Sequence, residues 1–274
     1  MLLTRVLTAL AILPVVLGML AFAPRGWWSL FALAMTLAAA WEWSRLCGFE
    51  ALMQRAYVAF SVSIGAALVT LYVVSPLYLY PVVAQALLWT AAVFWLFAVP
   101  WWLKEKLRPP SWVLGLVGWL VVFPFWIALV DLRDRSRWLL LAIAVIVWIA
   151  DISAYFAGRQ FGKRKLAPAI SPGKSWEGVY GALAGVLLYG LVLLVWSSDG
   201  GPTAWWAVFL GAFVLLTAVS VMGDLFESWM KRGAGVKDSS NLLPGHGGVL
   251  DRLDALTSTL PVAALLVSLK GTVG

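Results

Sequence analysis

The stretch Arg137–Ala157, RWLLLAIAVIVWIADISAYFA, runs without a polar residue from Trp138 to Ala150 before it reaches Asp151. A helix that crosses a bilayer needs about 20 predominantly apolar residues, and this segment supplies them. Eight further stretches repeat the pattern on either side, at 4–22, 26–46, 56–74, 80–103, 111–130, 176–197, 203–222 and 250–270. The last of them is interrupted at its start by Asp251, Arg252 and Asp254. The sequence therefore predicts an all-α polytopic membrane protein of about nine spans.

Composition agrees. Of 274 residues, 62% are hydrophobic and 12% are charged, against about 25% charged in ordinary soluble domains. So little charge cannot cover a water-soluble globule of this size, and the apolar content is far too high for a disordered chain. Mean hydropathy is +0.91. The lone Cys47 excludes an internal disulfide. The net charge of +7 does not call for a nucleic-acid partner, because basic residues collect on the cytoplasmic side of membrane spans. The 18 Trp suit the membrane interface.

Arg5, an apolar run and Ala21-Phe22-Ala23 imitate a secretory signal, but the run is long enough to span and a second apolar segment follows at once. With the N-terminus in the cytoplasm, nine spans place 15 of the 20 Lys and Arg inside and 5 outside, so N-in, C-out is the predicted orientation. The outside segment 131–137 dissents with Arg133, Arg135 and Arg137, although Asp131 and Asp134 lie among them. The two longest polar segments, 158–175 and 223–250, then share the cytoplasmic side.

Charge is concentrated in the second of these, GDLFESWMKRGAGVKDSSNLLPGHGGVLDRLD, residues 223–254. Asp224, Glu227, Ser228 and Lys231 fall at i, i+3, i+4 and i+7, one face of a helix end. Asp251 and Asp254 repeat the i, i+3 spacing at the start of the next helix. The loop between them ends in Pro244-Gly245-His246-Gly247-Gly248, where glycine permits sharp turns and close approach to a ligand. Carboxylates crowded at a membrane edge repel unless they are protonated or bound to cations. Hard oxygen ligands suit Mg²⁺, which is usually shared with substrate phosphates, and interleaved Lys and Arg can grip phosphate oxygens. A solvated, salt-bridged loop is the alternative, and His246 alone is as readily a turn residue as a ligand.

The other polar segment begins inside the sixth predicted span. Asp151 and Tyr155 are four residues apart, and an ionisable group in a membrane helix is a functional candidate by default; a carboxylate satisfied by a neighbouring helix is the alternative. Ser171-Pro172-Gly173-Lys174-Ser175 resembles the tail of a phosphate-binding P-loop but has Pro168 where that motif needs glycine. A helix that begins near Ser175 would still offer free N–H groups to an anion, with Lys174 beside them. Simple capping by Ser175 with an interfacial lysine is the alternative. Glu42, between Trp41 and Trp43, is expected to pair locally with Arg45.

Residues 228–254 resemble the signature of the phosphatidate cytidylyltransferases (CDP-diacylglycerol synthases) through Ser228, Lys231-Arg232, Lys237-Asp238, Pro244, His246-Gly247-Gly248, Asp251-Arg252 and Asp254. Asp151-x-Ser153-x-Tyr155-x-x-Gly158 and Ser171-Pro172-x-Lys174-Ser175-x-Glu177-Gly178 are similar to that family too. The resemblance implies N-terminal transmembrane helices over 1–150 and catalytic helices over 151–274. It also implies conversion of CTP and phosphatidic acid to CDP-diacylglycerol and pyrophosphate, and a homodimer in the lipid bilayer. It implies Mg²⁺, with K⁺ as a second cation, held by acidic residues at Asp224 and Asp251, with Glu227 and Asp254 as further metal candidates. Catalytic candidates are Asp224, Asp251, Lys231, Arg232, Lys237, Asp238, His246 and Arg252. Substrate-binding candidates are Asp151, Ser153, Tyr155, Ser171, Lys174, Ser175, Glu177, Ser228, Gly247 and Gly248. The chain length suggests a bacterial inner membrane, with the active site facing the cytoplasm. A transporter with relay carboxylates and a CTP-dependent lipid kinase are the rival readings.

Overall fold

The computed structural model describes residues 2–107, 109–197 and 204–270. Helices α1 (Leu2–Phe22), α2 (Arg25–Leu46) and α3 (Ala51–Val74) lead into α4 (Leu79–Val93). A π-helical turn at Phe94–Ala98 joins α4 to α5 (Val99–Glu105). The ring of Pro100 cannot donate to the helix ladder, and the Val99 amide reaches back five residues to the Phe94 carbonyl. Helices α6 (Ser111–Arg135), α7 (Arg137–Phe161), α8 (Trp176–Ser197), α9 (Ala204–Gly233) and α10 (Leu250–Lys270) complete the bundle.

Among the described residues, every predicted span falls on helix. Seven helices among the described residues are long and apolar enough to cross a membrane: α3, α4–α5 together, and α6 to α10. For the described residues the all-α expectation holds apart from a two-stranded antiparallel ribbon, β1 (Lys165–Ala167) with β2 (Ser171–Ser175), and an isolated bridge between Leu243 and Gly247. The polar segments are shorter than their hydropathy suggests, because α7 runs on to Phe161 and α9 to Gly233. At 1.5 Å per residue, the 30 residues of α9 span about 45 Å, more than the roughly 30 Å of a hydrocarbon core. Its last turns, which carry the charges, can therefore stand clear of the lipid.

Helix α6 is the central element. Val122, Trp126, Ile127, Ala128, Val130 and Leu132 are wholly buried, as expected for a helix that is apolar all round. Peripheral helices instead expose Phe60, Trp148, Leu188 and Val195, which suits a lipid surround. Helices α7 and α8 approach closely along small residues. A Cβ on Gly181 would strike Ala157, and one on Gly185 would strike the Ser153 hydroxyl, the small-residue packing that membrane helices use when hydrophobicity cannot drive association. Helix α9 is fixed from behind by Phe226, whose ring lies 5.6–6.2 Å from those of Trp43, Phe94, Trp95, Trp102 and Trp229. That clamp leaves Asp224, Glu227 and Lys231 on another face.

The ends of the bundle differ. At one end Thr8 of α1 donates to the Pro244 carbonyl, 2.8 Å away. At the other, Arg25 pairs with Asp134 (2.6 Å), which also accepts from Tyr72, while Tyr80 donates to Asp131. Arg133 and Arg137 donate to the carbonyls of Ala23 and Ala21, where α1 leaves its last acceptors unpaired. Two of the three dissenting arginines are thus occupied as helix caps.

Candidate active site

The site forms where the C-terminal turns of α9 meet the first turn of α10, beside the β1–β2 ribbon. The ribbon sets Lys174 next to α9, where its ammonium forms an ion pair with Asp224. Ser228 donates to the other Asp224 oxygen at 3.4 Å. One turn along, Lys231 reaches Asp251 of α10 at 2.7 Å and Glu227 at 3.4 Å. Asp251 is saturated: its second oxygen accepts from the Ser239 amide (2.9 Å), the Ser239 hydroxyl (2.9 Å) and the Gly248 amide (2.7 Å). Asp251 therefore ties α9, the 234–249 loop and α10 together.

Two clefts open here. One, of about 500 Å³, is lined by Asp151, Tyr155 and Arg159 of α7, by Ser171, Lys174 and Ser175 of the ribbon, and by Asp224 of α9, with Ala150, Leu166, Val179 and Val221 supplying apolar wall. The other, of about 690 Å³, is polar and is lined by Lys237, Asp238, Asn241, His246, Gly247 and Arg252. A tight turn shapes it: the His246 amide donates to the Leu243 carbonyl, Pro244 leads, and Gly245 takes φ 76°, the type II arrangement. Arg252 donates twice to the His246 carbonyl, at 2.9 and 3.1 Å, and His246 Nδ1 is buried without a partner.

The remaining candidates serve the fold as much as the clefts. Ser153 turns toward Gly185 of α8 rather than into the cleft. Glu177 accepts the Lys163 and Arg164 amides at 3.1–3.2 Å and so fastens the base of the ribbon. Ser175 accepts from the Gly178 amide at 3.2 Å, which makes it the cap of α8 as well as a lining residue. Arg232 donates to the Val236 carbonyl and lines neither cleft. Gly248 is buried against Ser239 and Glu42, and a Cβ there would collide with both.

Glu42 departs most from expectation. It is fully buried while Arg45 is exposed and lies over the Trp41 ring. Its carboxylate accepts four hydrogen bonds, from the Ser240 hydroxyl (2.6 Å), the Val249 amide (2.9 Å), the Ser239 hydroxyl (3.0 Å) and the Leu250 amide (2.6 Å). The local pair with Arg45 is replaced by a bond set to the start of α10, because buried amides and a helix N-terminus solvate a carboxylate better than one exposed cation can. The signal in the sequence is a carboxylate inside a span between two Trp. Its partners lie about 200 residues away, beyond any local spacing rule.

Among the described residues, no three His, Cys, Asp or Glu side chains form a closed metal centre. The donors nonetheless suit a hard cation. Both Glu227 oxygens are buried without a hydrogen-bond partner, Asp254 faces them, and Asp224 lies within electrostatic reach of Asp254. Mg²⁺ is commonly held by one or two carboxylates with substrate phosphates completing its shell, so an open set of this kind fits it.

Membrane-length helices whose charged ends gather acid–base pairs around two clefts define an integral membrane protein suited to a phosphorylated ligand. The chain belongs to the cytidylyltransferase family, which it matches over residues 3–270. It is 43% identical, over 97% of both chains, to a phosphatidate cytidylyltransferase of Pseudomonas aeruginosa. It is 51% identical over 132 residues to that of Haemophilus influenzae, covering 46% of this chain and 44% of the relative. With the Staphylococcus aureus enzyme it shares 40% identity over 137 residues, 50% of this chain and 52% of the relative.

Proposed function

We propose that the protein transfers the cytidylyl group of CTP to phosphatidic acid, giving CDP-diacylglycerol and pyrophosphate. A phosphate oxygen of the lipid attacks the α-phosphorus of CTP, the bond to the β-phosphate breaks, and pyrophosphate leaves with no covalent enzyme intermediate. The observation that carries this reading is the meeting of Lys174–Asp224 and Lys231–Asp251 beside two clefts of different character. The partly apolar cleft on α7 suits a lipid phosphate, whose acyl chains can remain in hydrocarbon, with Lys174 and Arg159 as its cations. The polar cleft suits the nucleotide, with Lys237 and Arg252 toward its phosphates. Asp224, Glu227 and Asp254 would hold Mg²⁺, with Asp251 beside them. When bound, the ion supplies charge neutralisation and polarisation of the phosphate oxygens.

On the same reading nine helices cross a bacterial inner membrane, N-in and C-out, with both clefts facing the cytoplasm. Helices α1 and α2, at 21 and 22 residues, are long enough to join the seven apolar spans. The bond from Thr8 to Pro244 supports a common side for the start of α1 and the site, and the capping arginines account for the dissenting loop. Of the basic residues counted for orientation, Arg108 and the side chains of Arg5 and Lys270 lie outside the described residues.

Labelled CTP tests the reaction. With purified protein and phosphatidic acid, label on the α-phosphate is expected in the lipid fraction and label on the γ-phosphate in pyrophosphate. Transfer of the γ-label to lipid would establish a lipid kinase instead. Substrate-dependent flux in proteoliposomes, without a labelled lipid product, would establish a transporter.

A further inference from the structure

We propose that Glu42 of α2 is a positioning residue for the nucleotide cleft, acting through the 239–250 segment without touching substrate. The inference rests on the reading that this cleft takes CTP. Ser239 joins the two carboxylates: its hydroxyl donates to Glu42 at 3.0 Å and to Asp251 at 2.9 Å. Ser240, Val249 and Leu250 bring the rest of the segment onto Glu42. The loop lies over Glu42 as over a peg, with Gly248 pressed so close that no side chain fits between them. The N-terminal helices, which carry none of the acid–base pairs of the site, thereby set the height and register of the turn that presents His246 and of the α10 start that carries Arg252.

The bonding pattern requires a carboxylate rather than a polar side chain of the same size. Val249 donates its amide to one oxygen of Glu42 and Leu250 donates to the other. A serine hydroxyl can rotate to accept instead, but a backbone N–H cannot. Glutamine has one oxygen and one NH₂ group. Whichever way its amide is turned, one backbone N–H meets another donor and is left buried without an acceptor.

The test compares the full-length wild type with Glu42→Gln, Glu42→Ala and Ser240→Ala in nanodiscs. It reads hydrogen exchange over 237–250, thermal stability, and kcat and KM for each substrate. In Glu42→Gln we expect exchange of the loop to accelerate at least tenfold. We also expect kcat to fall at least tenfold with a raised KM for CTP, while the KM for phosphatidic acid stays within twofold. Ser240→Ala, which leaves both amide bonds in place, should shift the same quantities less than threefold. A Glu42→Gln protein with wild-type turnover, or one that loses turnover while loop exchange is unchanged, overturns the proposal. So does equal loss of affinity for both substrates, which a general loss of structure would give. If the Gln and Ala variants do not fold, Gly248→Ala, whose Cβ would push the loop off Glu42, takes their place, and unchanged exchange in that protein overturns the proposal. A wild type that makes no liponucleotide would instead refute the functional reading and leave the exchange result standing.

Discussion

Glu227→Gln separates a metal ligand from a structural carboxylate more sharply than any other substitution at this site. The side chain is 3% exposed; no donor group of another residue reaches its oxygens, and its side-chain hydrogen-bond neighbour is the Asp254 carboxyl, which the amide of Gln can still serve. The change does remove attraction to Lys231 at 3.4 Å, about 5 kcal/mol at an effective dielectric constant of roughly 20. Against this stand the several kcal/mol that burial of a carboxylate costs and the repulsion from Asp254 and Asp251, all of which Gln relieves. Lys231 also keeps its shorter bond to Asp251. No large net loss is therefore expected: stability should fall by no more than about 1 kcal/mol, a drop in Tm of roughly 2–4 °C for a chain of this order of size. Function should not be spared. If Glu227 binds Mg²⁺, the concentration of Mg²⁺ giving half-maximal activity should rise at least tenfold and turnover should fall at least tenfold. The assay is CDP-diacylglycerol formation titrated with Mg²⁺, alongside thermal unfolding in the same detergent. Unchanged Mg²⁺ dependence and turnover would refute the metal assignment. A drop in Tm well beyond 10 °C would show that the charge serves the fold.

Asp251→Asn should behave differently. It weakens the bond to Lys231 and sets an NH₂ group against either that ammonium or the loop amides, so turnover and Tm should fall together, by at least 100-fold and by several degrees; a normal Tm with lost turnover would show that Asp251 is chiefly a ligand. Lys174→Ala should reduce turnover at least tenfold with little change in Tm, whereas Ser175→Ala should cost about 1 kcal/mol through loss of the α8 cap; the reverse pattern would reduce Lys174 to an interfacial lysine. Asn241→Cys reports orientation against a quiet background, since Cys47 is buried. A membrane-impermeant maleimide should label it in inside-out vesicles and not in intact spheroplasts, and labelling in spheroplasts would reverse the proposed topology.

The spans are legible because hydropathy over about 20 residues reports a lipid surround directly. Helix ends are less so. Residues 51–55 begin α3, and the charged tail of α9 remains helical to Gly233, because backbone bonds and the Phe226 aromatic clamp continue where apolar composition stops. Spacing rules locate the Asp224–Lys231 face, since i, i+3 and i+4 neighbours are a local property of a helix. They cannot supply partners across the fold. Ser153 looks equivalent to Tyr155 on the chain, yet one faces α8 and the other a cleft. Local spacing gives Glu42 its nearest cation, although amides about 200 residues away solvate it. Nothing local in 131–137 shows that Arg133 and Arg137 find acceptors at Ala23 and Ala21, more than 100 residues away.

The pairing of charges also bears on how substrates are discriminated. Lys174, which lines the partly apolar cleft, holds Asp224, so on the proposed function an incoming phosphate would compete with Asp224 for it. A monoanionic or neutral headgroup gains little from that exchange, because it replaces one full charge with no more than its equal. A phosphomonoester near its dianionic form, or a triphosphate, offers more charge than the carboxylate it displaces and can win. The carboxylate released would then be free to serve as a hard oxygen donor to a divalent ion accompanying the nucleotide. Self-pairing at the helix ends therefore limits the cost of burying these charges between turnovers. On the proposed function it would also bias the site toward phosphatidic acid over phosphodiester lipids, whose single negative charge is too weak a competitor to take Lys174 from Asp224.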